Sequence, residues 1–344
     1  MKKIIINGKF YAQKITGVQR FAREIILELD NIVSNQDIKI LVPKDAVDLP
    51  VLKNIQIKKS PFKKSIFWEQ LWLPLYIAKQ KAIGVHLCHV APLLKPDIVC
   101  IHDANVISNP QWFTKKIYLW YRLIESICAK KAKKILTVSE FSKNELKKHL
   151  GIIESNIFTL CEGWQHFNRI HSNTETLSRY KLNKKNFYFS LGTKAQYKNM
   201  KWVYDYARKN PNEIFAISGS SYGKIFGEDT SIIPNNVHFL GYLSDEEIKT
   251  MMQNCKAFLF PSLYEGFGIP PLEALSTGSP VIVSDIPVMH EIFGDTVHYI
   301  NPNNTDVDLN LLAEKSVAPA ATALDKYSWQ KGALLLQDII KELT

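Results

Sequence analysis

The stretch from Ala257 to Asp285, AFLFPSLYEGFGIPPLEALSTGSPVIVSD, leaves the chain the fewest choices of fold. An apolar run from Ala257 to Phe260 is closed by Pro261 and Ser262, as when a buried strand enters a loop. A glycine-rich turn follows at Glu265-Gly266-Phe267-Gly268. Pro270 and Pro271 suit the first turn of a helix, which would carry Glu273 and stop at Gly278. A second apolar run, Val281 to Val283, completes a strand-loop-helix-strand unit, the building block of a parallel sheet.

Such a unit predicts a site for a negatively charged ligand. Small residues let the backbone approach closely, and the amides of Gly266, Phe267 and Gly268 would point at a phosphate or a sugar hydroxyl, with the helix dipole assisting. Glu265 precedes these amides and Glu273 lies eight positions on, so the two carboxylates could accept hydrogen bonds from hydroxyls at two points of one ligand. Taken alone, the same pair also fits two solvated charges.

The run Glu265-Gly-Phe-Gly-Ile-Pro-Pro-Leu-Glu273-Ala resembles the E-x7-E signature of the retaining glycosyltransferases of family 4, which adopt the GT-B fold, and the likeness extends through FPSLYEGFGIPPLEALSTGSPVI. The resemblance implies that Glu265 lies beside a donor sugar. It implies also that the amides of Gly266, Phe267 and Gly268 hold the sugar and diphosphate, and that Glu273 binds the nucleotide ribose.

At 344 residues the chain is long enough for two domains. Its composition, 46% apolar and 22% charged, is that of an ordinary globular protein. It has no apolar run of membrane-spanning length, and MKKIIINGKF reads as a first strand and not as a signal peptide. Cys88, Cys100, Cys128, Cys161 and Cys255 show neither metal-ligand nor disulfide spacing, which fits a reducing cytoplasm. Charge is uneven: residues 1–165 hold 26 Lys and Arg against 14 Asp and Glu, while the remainder holds 17 against 19. That asymmetry predicts a partner surface on the first half, for an anionic lipid, an acidic acceptor or a nucleic acid. Nucleic acid is disfavoured, because no helix-turn-helix or RNA-binding aromatic signature accompanies the charge.

Along the first half, Lys3 to Asn7 reads as a strand and Val18 to Val33 as a helix with one apolar face. The loop before that helix, Thr16-Gly17-Val18-Gln19-Arg20, resembles the family's N-terminal loop. On that resemblance Gly17 lets the helix start approach the donor phosphates, and Arg20 is a candidate phosphate partner. Residues 58–76, KKSPFKKSIFWEQLWLPLY, interleave lysines with bulky aromatics, which suits either core packing or a peripheral contact with an anionic membrane. Ile98 to Ile101 is a strand ending at His102-Asp103, a position where ligands of open α/β sheets bind. In the family a His-Asp pair at this point faces the donor sugar and acceptor, so His102, and with it Asp103, becomes a candidate sugar contact. A helix is expected from Trp112 to about Lys134, with four terminal lysines suited to its dipole. After a strand at Ile135 to Ser139, Ser142 and Glu145 have capping-box spacing.

The polar stretch from Gly163 to about Lys185 reads as the domain boundary. Beyond the strand Phe187 to Leu191, Lys198 matches the lysine of the basic pair with which the family clamps the donor diphosphate. The arginine of that pair has no counterpart, and Lys194 is the expected substitute, although a lysine cannot clamp in bidentate fashion. Gly241, Tyr242 and Leu243 follow another strand, at the place where the family holds the nucleobase. Ser244 with Glu247 forms a capping box. Asp306-Val-Asp308 mimics a metal-binding D-x-D, but its setting before a helical pattern predicts an N-cap.

The expected architecture is therefore GT-B, two Rossmann-like doubly wound parallel sheets facing an interdomain cleft. Residues 1–165, joined by a crossover helix at roughly 328–344, would form the acceptor side, and residues 166–327 the nucleotide-sugar side. The expected reaction is metal-independent, retaining transfer of a sugar from a nucleotide-diphosphate donor to a glycan or lipid-linked acceptor, with Glu265, His102 and Lys198 in the catalytic roles and no cofactor. The expected location is the cytoplasm, peripherally at the inner face of the plasma membrane. A GT-B nucleotide-sugar epimerase and a non-catalytic sugar-nucleotide-binding module are the alternatives.

Overall fold

The computed structural model describes residues 2–34, 37–192, 195–219 and 233–344. The described chain divides into two compact units. The first comprises Met1–Gly163 with Ser328–Thr344, and the second Trp164–Tyr327.

The first unit is built on a seven-stranded parallel sheet. Its strands are β1 (Ile4–Asn7), β2 (Ile38–Val42), β3 (Gln56–Lys59), β4 (Ile83–His86), β5 (Ile98–Cys100), β6 (Lys134–Thr137) and β7 (Ile157–Thr159), in the order β3-β2-β1-β4-β5-β6-β7. The central strands are apolar runs buried on both faces, as parallel sheets require. The register sorts side chains between the faces. Ile5 is opposite Gly84, His86 opposite Val99, and Val99 opposite Ile135, so these residues share one face. On that face Ile5 and Leu41 pack with Trp68, Leu73 and Ile77, while Val99 and Ile135 pack with Ile124 and Cys128. The segment 66–79 and the helix Lys115–Lys131 thus form one layer. Gly84 admits the first of them, since a Cβ there would come within 3.0 Å of Ile77. The helices Gly17–Ile32 and Trp329–Leu343 pack against each other, and a Cβ at Gly332 would meet the Cys161 carbonyl oxygen at 2.7 Å.

The second unit holds six parallel strands, β8 (Phe187–Gly192), β9 (Ile214–Gly219), β10 (Val237–Gly241), β11 (Ala257–Phe260), β12 (Val281–Ser284) and β13 (His298–Ile300), in the order β10-β9-β8-β11-β12-β13. In both sheets the chain winds outward one way and then returns to wind the other. The reversal falls between β1 and β4 in the first unit, and between β8 and β11 in the second.

Local expectations were met to different degrees. Ser244 and Glu247 form the expected capping box, and Asp308 caps the helix Leu309–Glu314 by accepting from the amides of Asn310 and Leu311. The helix expected from Trp112 to Lys134 is shorter, Lys115–Lys131, because Ala132 turns extended. The Lys133 amide then donates to the Asp97 carbonyl, and Lys134 opens β6. The cap expected at Ser142 belongs instead to Ser139, whose backbone is extended and whose Oγ accepts from the Ser142 amide, so that the helix Glu140–Leu150 starts three residues earlier. All five cysteines are free thiols. Among the described residues no helix is long and apolar enough to cross a membrane.

Candidate functional site

Ligands of open parallel sheets bind beyond the carboxyl ends of the strands where the winding reverses. In the second unit that place lies between the loops that follow β8 and β11, which are tied together by the Leu263 amide donating to the Tyr197 carbonyl at 2.7 Å. The two residues that sequence reading singled out on these loops meet there. Lys198 Nζ donates to Glu265 Oε1 at 2.6 Å, with both side chains mostly buried. The ammonium also lies 5.0 Å from the Phe260 ring centroid and 5.5 Å from that of Tyr197, whose faces attract a cation. A negatively charged ligand arriving here would meet a cation held in place by a carboxylate and two rings. Asn199 seats the loop: its backbone is left-handed, with φ 54°, and its side-chain amide donates to the carbonyls of Pro261 (3.0 Å) and Pro302 (2.8 Å).

The helix after β11 spans Ile269–Ser276, with prolines in its first turn as expected. Gly268 sits at its N-cap with φ 115°, a conformation open to glycine. The Phe267 side chain turns inward, packing edge-on against Tyr327 at 5.0 Å, and only its backbone can serve a ligand at this turn. Glu273 is buried on the helix and its Oε1 lies 2.8 Å from His166 Nε2. Sequence reading missed His166, which is 107 residues away and falls in the boundary segment, where no periodic pattern marks it. Gly241, with φ 68°, and the exposed Tyr242 end β10 at the same edge of the sheet. Lys194 lies outside the described residues.

In the first unit the corresponding place is beyond β1 and β4. After β1, Gly17 opens the helix Gly17–Ile32 behind the N-cap Thr16, whose amide donates to Gln19 Oε1, and Arg20 is half-buried on the first turn. A cavity of about 560 Å³ adjoins this helix start, lined by Lys9, Lys14 and Lys64 together with Thr16 and Gln19. After β5, His102 is buried. Its Nε2 lies 2.9 Å from the Leu87 carbonyl, and its ring packs edge-on against Phe21. Burial opposes protonation of this imidazole, but Cys100 and Glu162 beside it overcome that and hold it well above the ordinary histidine range.

His102 also positions a residue that sequence reading did not find. Its amide donates to His89 Nδ1 at 3.2 Å, and the two rings stack at 5.6 Å. His89 follows β4 in a left-handed backbone, φ 42°, rare outside glycine and concentrated at functional sites. Accepting at Nδ1 leaves the proton of neutral imidazole on Nε2. Burial pulls this histidine down to about 4 against the attraction of Asp103. Its Nε2 lies 3.9 Å from Glu125 Oε1, and both oxygens of that buried carboxyl lack a hydrogen-bond partner. Burial, reinforced by Asp103, pushes Glu125 well above the usual carboxylate range. No motif flags this group, because a lone His-Val after a strand and a lone glutamate in a helix are common. Among the described residues no cluster of three His, Cys, Asp or Glu is arranged to hold a metal ion.

Residues 173–315 match the family described as glycosyl transferases group 1. The chain is 28% identical over 226 residues to the O-antigen chain mannosyltransferase RfbU of Salmonella typhimurium, an alignment covering 63% of this chain and 60% of that protein. It is 27% identical over 261 residues to O-antigen chain mannosyltransferase B of Escherichia coli, covering 69% of this chain and 68% of that one. Among solved structures, sucrose-phosphate synthase from Thermosynechococcus elongatus superposes with a TM-score of 0.72 over 100% of this chain and 99% of that chain, at 14% identity. WaaG, a glycosyltransferase involved in lipopolysaccharide biosynthesis, superposes with a TM-score of 0.69 over 98% and 99%, at 16% identity. The fold is GT-B.

Proposed function

From a chain of GT-B fold whose second unit carries a glycosyl transferases group 1 domain, we propose a glycosyltransferase that moves a sugar from a nucleotide-diphosphate donor to a hydroxyl of a glycan or lipid-linked acceptor, in the assembly of cell-surface polysaccharide. The observation that carries the reading is the Lys198–Glu265 pair at the winding reversal of the second sheet, inside the matched segment. The O-antigen mannosyltransferases among the relatives make a mannosyl donor the first to try.

In the proposed step the bond from the anomeric carbon to the diphosphate oxygen breaks, and a bond to the acceptor oxygen forms on the same face. The departing diphosphate takes the acceptor proton. Lys198 stabilises the charge that develops on the leaving group, together with the amides of Gly266, Phe267 and Gly268, each such contact being worth about 3 kcal/mol. Glu265 orients Lys198 and meets the sugar, while Glu273, fixed by His166, receives the ribose hydroxyls. Arg20 and Gly17 approach the donor phosphates from the first unit, Lys194 adds a second cation, and Tyr242 is assigned to the base. His102 is assigned to sugar recognition through His89, the residue that it positions. With cations and amides balancing the diphosphate, turnover is expected to be the same in EDTA as in magnesium.

Purified protein incubated with GDP-, UDP-, dTDP- or ADP-sugars and a lipid-linked acceptor should release one nucleoside diphosphate, and the anomeric configuration of the product, read by NMR, should match that of the donor. An inverted product would refute the retaining assignment. Epimerised nucleotide sugar appearing without acceptor would establish the epimerase reading, and binding without any turnover the binding-module reading.

A further inference from the structure

The segment 66–79 is not a regular α-helix. Trp68–Trp72 forms a π-helical turn, in which the Leu73 amide donates to the Trp68 carbonyl five residues back, and an α-helix with Pro74 in its first turn then runs from Leu73 to Lys79. The wider turn re-aims the side chains. Trp68, Leu73 and Ile77 are wholly buried at spacings of five and four, and Glu69, next to Trp68, is turned inward as well, at 4% exposure. Single π-turns are uncommon and gather at functional sites. The reaction proposed above makes no use of this one.

Two consecutive residues of the turn bridge the place where the winding of the first sheet reverses. Glu69 reaches the end of β1: its Oε2 accepts from Lys9 Nζ at 2.6 Å and its Oε1 from Asn7 Nδ2 at 3.4 Å, while Asn7 Oδ1 accepts from the Lys9 amide at 3.1 Å. Gln70 reaches the loop after β4, its Nε2 donating to the Ala91 carbonyl and its Oε1 accepting from the Leu93 amide, each at 3.1 Å. Stability does not account for the ion pair. Buried pairs rarely offset their own desolvation, and burial holds Glu69 above the ordinary carboxylate range even with Lys9 and Asn7 pulling the other way. What the pair achieves is to fix an ammonium, 23% exposed, on the wall of the cavity of about 560 Å³ at the start of Gly17–Ile32.

The chemistry of that cavity is mostly neutral. Of its three lysines Lys9 is matched by Glu69, Lys64 is taken up by the Ala12 carbonyl, and Lys14 is exposed. The other polar groups on the wall are Gln13, Thr16, Gln19 and Ser65, amides and hydroxyls that both donate and accept. Such a set matches the hydroxyls of a sugar ring better than a phosphate, which is held best by uncompensated cations.

We propose that Lys9, aimed by Glu69 of the π-turn, contacts the hydroxyls of an uncharged acceptor sugar in this cavity. Lys9 is the contact and Glu69 a positioning residue. The inference rests on the transferase reading, and its test starts from binding so that the two can fail separately. Saturation-transfer NMR of the full chain is recorded with the methyl α-glycosides of mannose, galactose, glucose and N-acetylglucosamine, and with mannose 6-phosphate. Wild type is expected to bind at least one methyl glycoside. Lys9→Met and Glu69→Gln should each weaken that binding about tenfold or more, the scale of a hydrogen bond from a charged group. The double variant Lys9→Met, Glu69→Met replaces the ion pair by apolar side chains, so it should melt no earlier than wild type and still lose the glycoside. In transfer assays with the same glycoside the variants should raise the acceptor KM and leave the donor KM unchanged. Glycoside binding that depends on Lys9, without transfer from any donor, would keep this site and remove the transferase reading. Wild type that binds no methyl glycoside, or mannose 6-phosphate alone, overturns the proposal. So does a double variant that binds as wild type does, or acceptor and donor KM that rise together as the melting temperature falls.

Discussion

Lys198 and Glu265 neutralise each other across 2.6 Å, which makes each the other's rival for any ligand. Replacing either by alanine should lower kcat/KM by roughly a hundredfold or more, the scale for loss of a preorganised electrostatic contact. The melting temperature should fall only slightly, because the charge left behind keeps the access to water that its 18% (Lys198) or 12% (Glu265) side-chain exposure gives. Steady-state kinetics beside a thermal melt would separate these effects, and a variant that melts early would reduce the pair to a structural role. Glu125 behaves differently. Its folded-state pKa lies above the unfolded value of 4.5, so the native state keeps a proton that the unfolded chain releases. Stability from this residue is complete below pH 4.5 and declines as pH rises towards the folded value. Glu125→Gln, which cannot ionise, should therefore gain on wild type by up to about 1.4 kcal/mol per pH unit across that range. Urea unfolding of both proteins at pH 5 and pH 7 measures it; a constant difference would mean that Glu125 is ionised in the fold.

Elements were more legible in the sequence than the residues that hold them in place. The unit from β11 through Ile269–Ser276 to β12 could be read because apolar runs, paired prolines and glycines each report a local backbone preference. Both glutamates and Lys198 could be read through family resemblance. His89, His166 and Glu125 could not: their chemistry comes from burial and from partners distant in the chain, which leave no local pattern. The one-turn error at Ser142 has a related cause, since Ser139 and Ser142 both have capping chemistry and only the extended backbone of Ser139 decides between them. At this scale Gly268→Ala should cost at least about 1 kcal/mol from the positive φ alone. A Cβ 3.2 Å from the Met289 methyl would add to that, so the helix start should shift and donor KM should rise. Asn199→Ala removes two hydrogen bonds that join three loops, and should cost about 2 kcal/mol in chemical denaturation. An unchanged midpoint would show that the αL turn holds without them.

For the whole molecule, a nucleotide that binds only the native state must raise its stability by mass action, by about 2.7 kcal/mol when present at a hundred times its dissociation constant. A thermal-shift series with UDP, GDP, dTDP and ADP should single out one base, equally in magnesium and in EDTA. No shift with any of the four would leave the site without a nucleotide. The first unit is assembled from residues 1–163 and 328–344, whereas the second is one continuous segment. During synthesis the ribosome releases all of Trp164–Tyr327 before the helix Trp329–Leu343, whose Trp329 packs at 6.2 Å against Phe21 and whose Gly332 nests against Ile25. Domains fold as their residues emerge. The part of the chain made first is therefore finished last, and Phe21 and Ile25 wait without their cover for the whole time the second unit takes to appear. A nascent chain stalled before residue 328 should display a folded second unit and a first unit still open to protease along Gly17–Ile32.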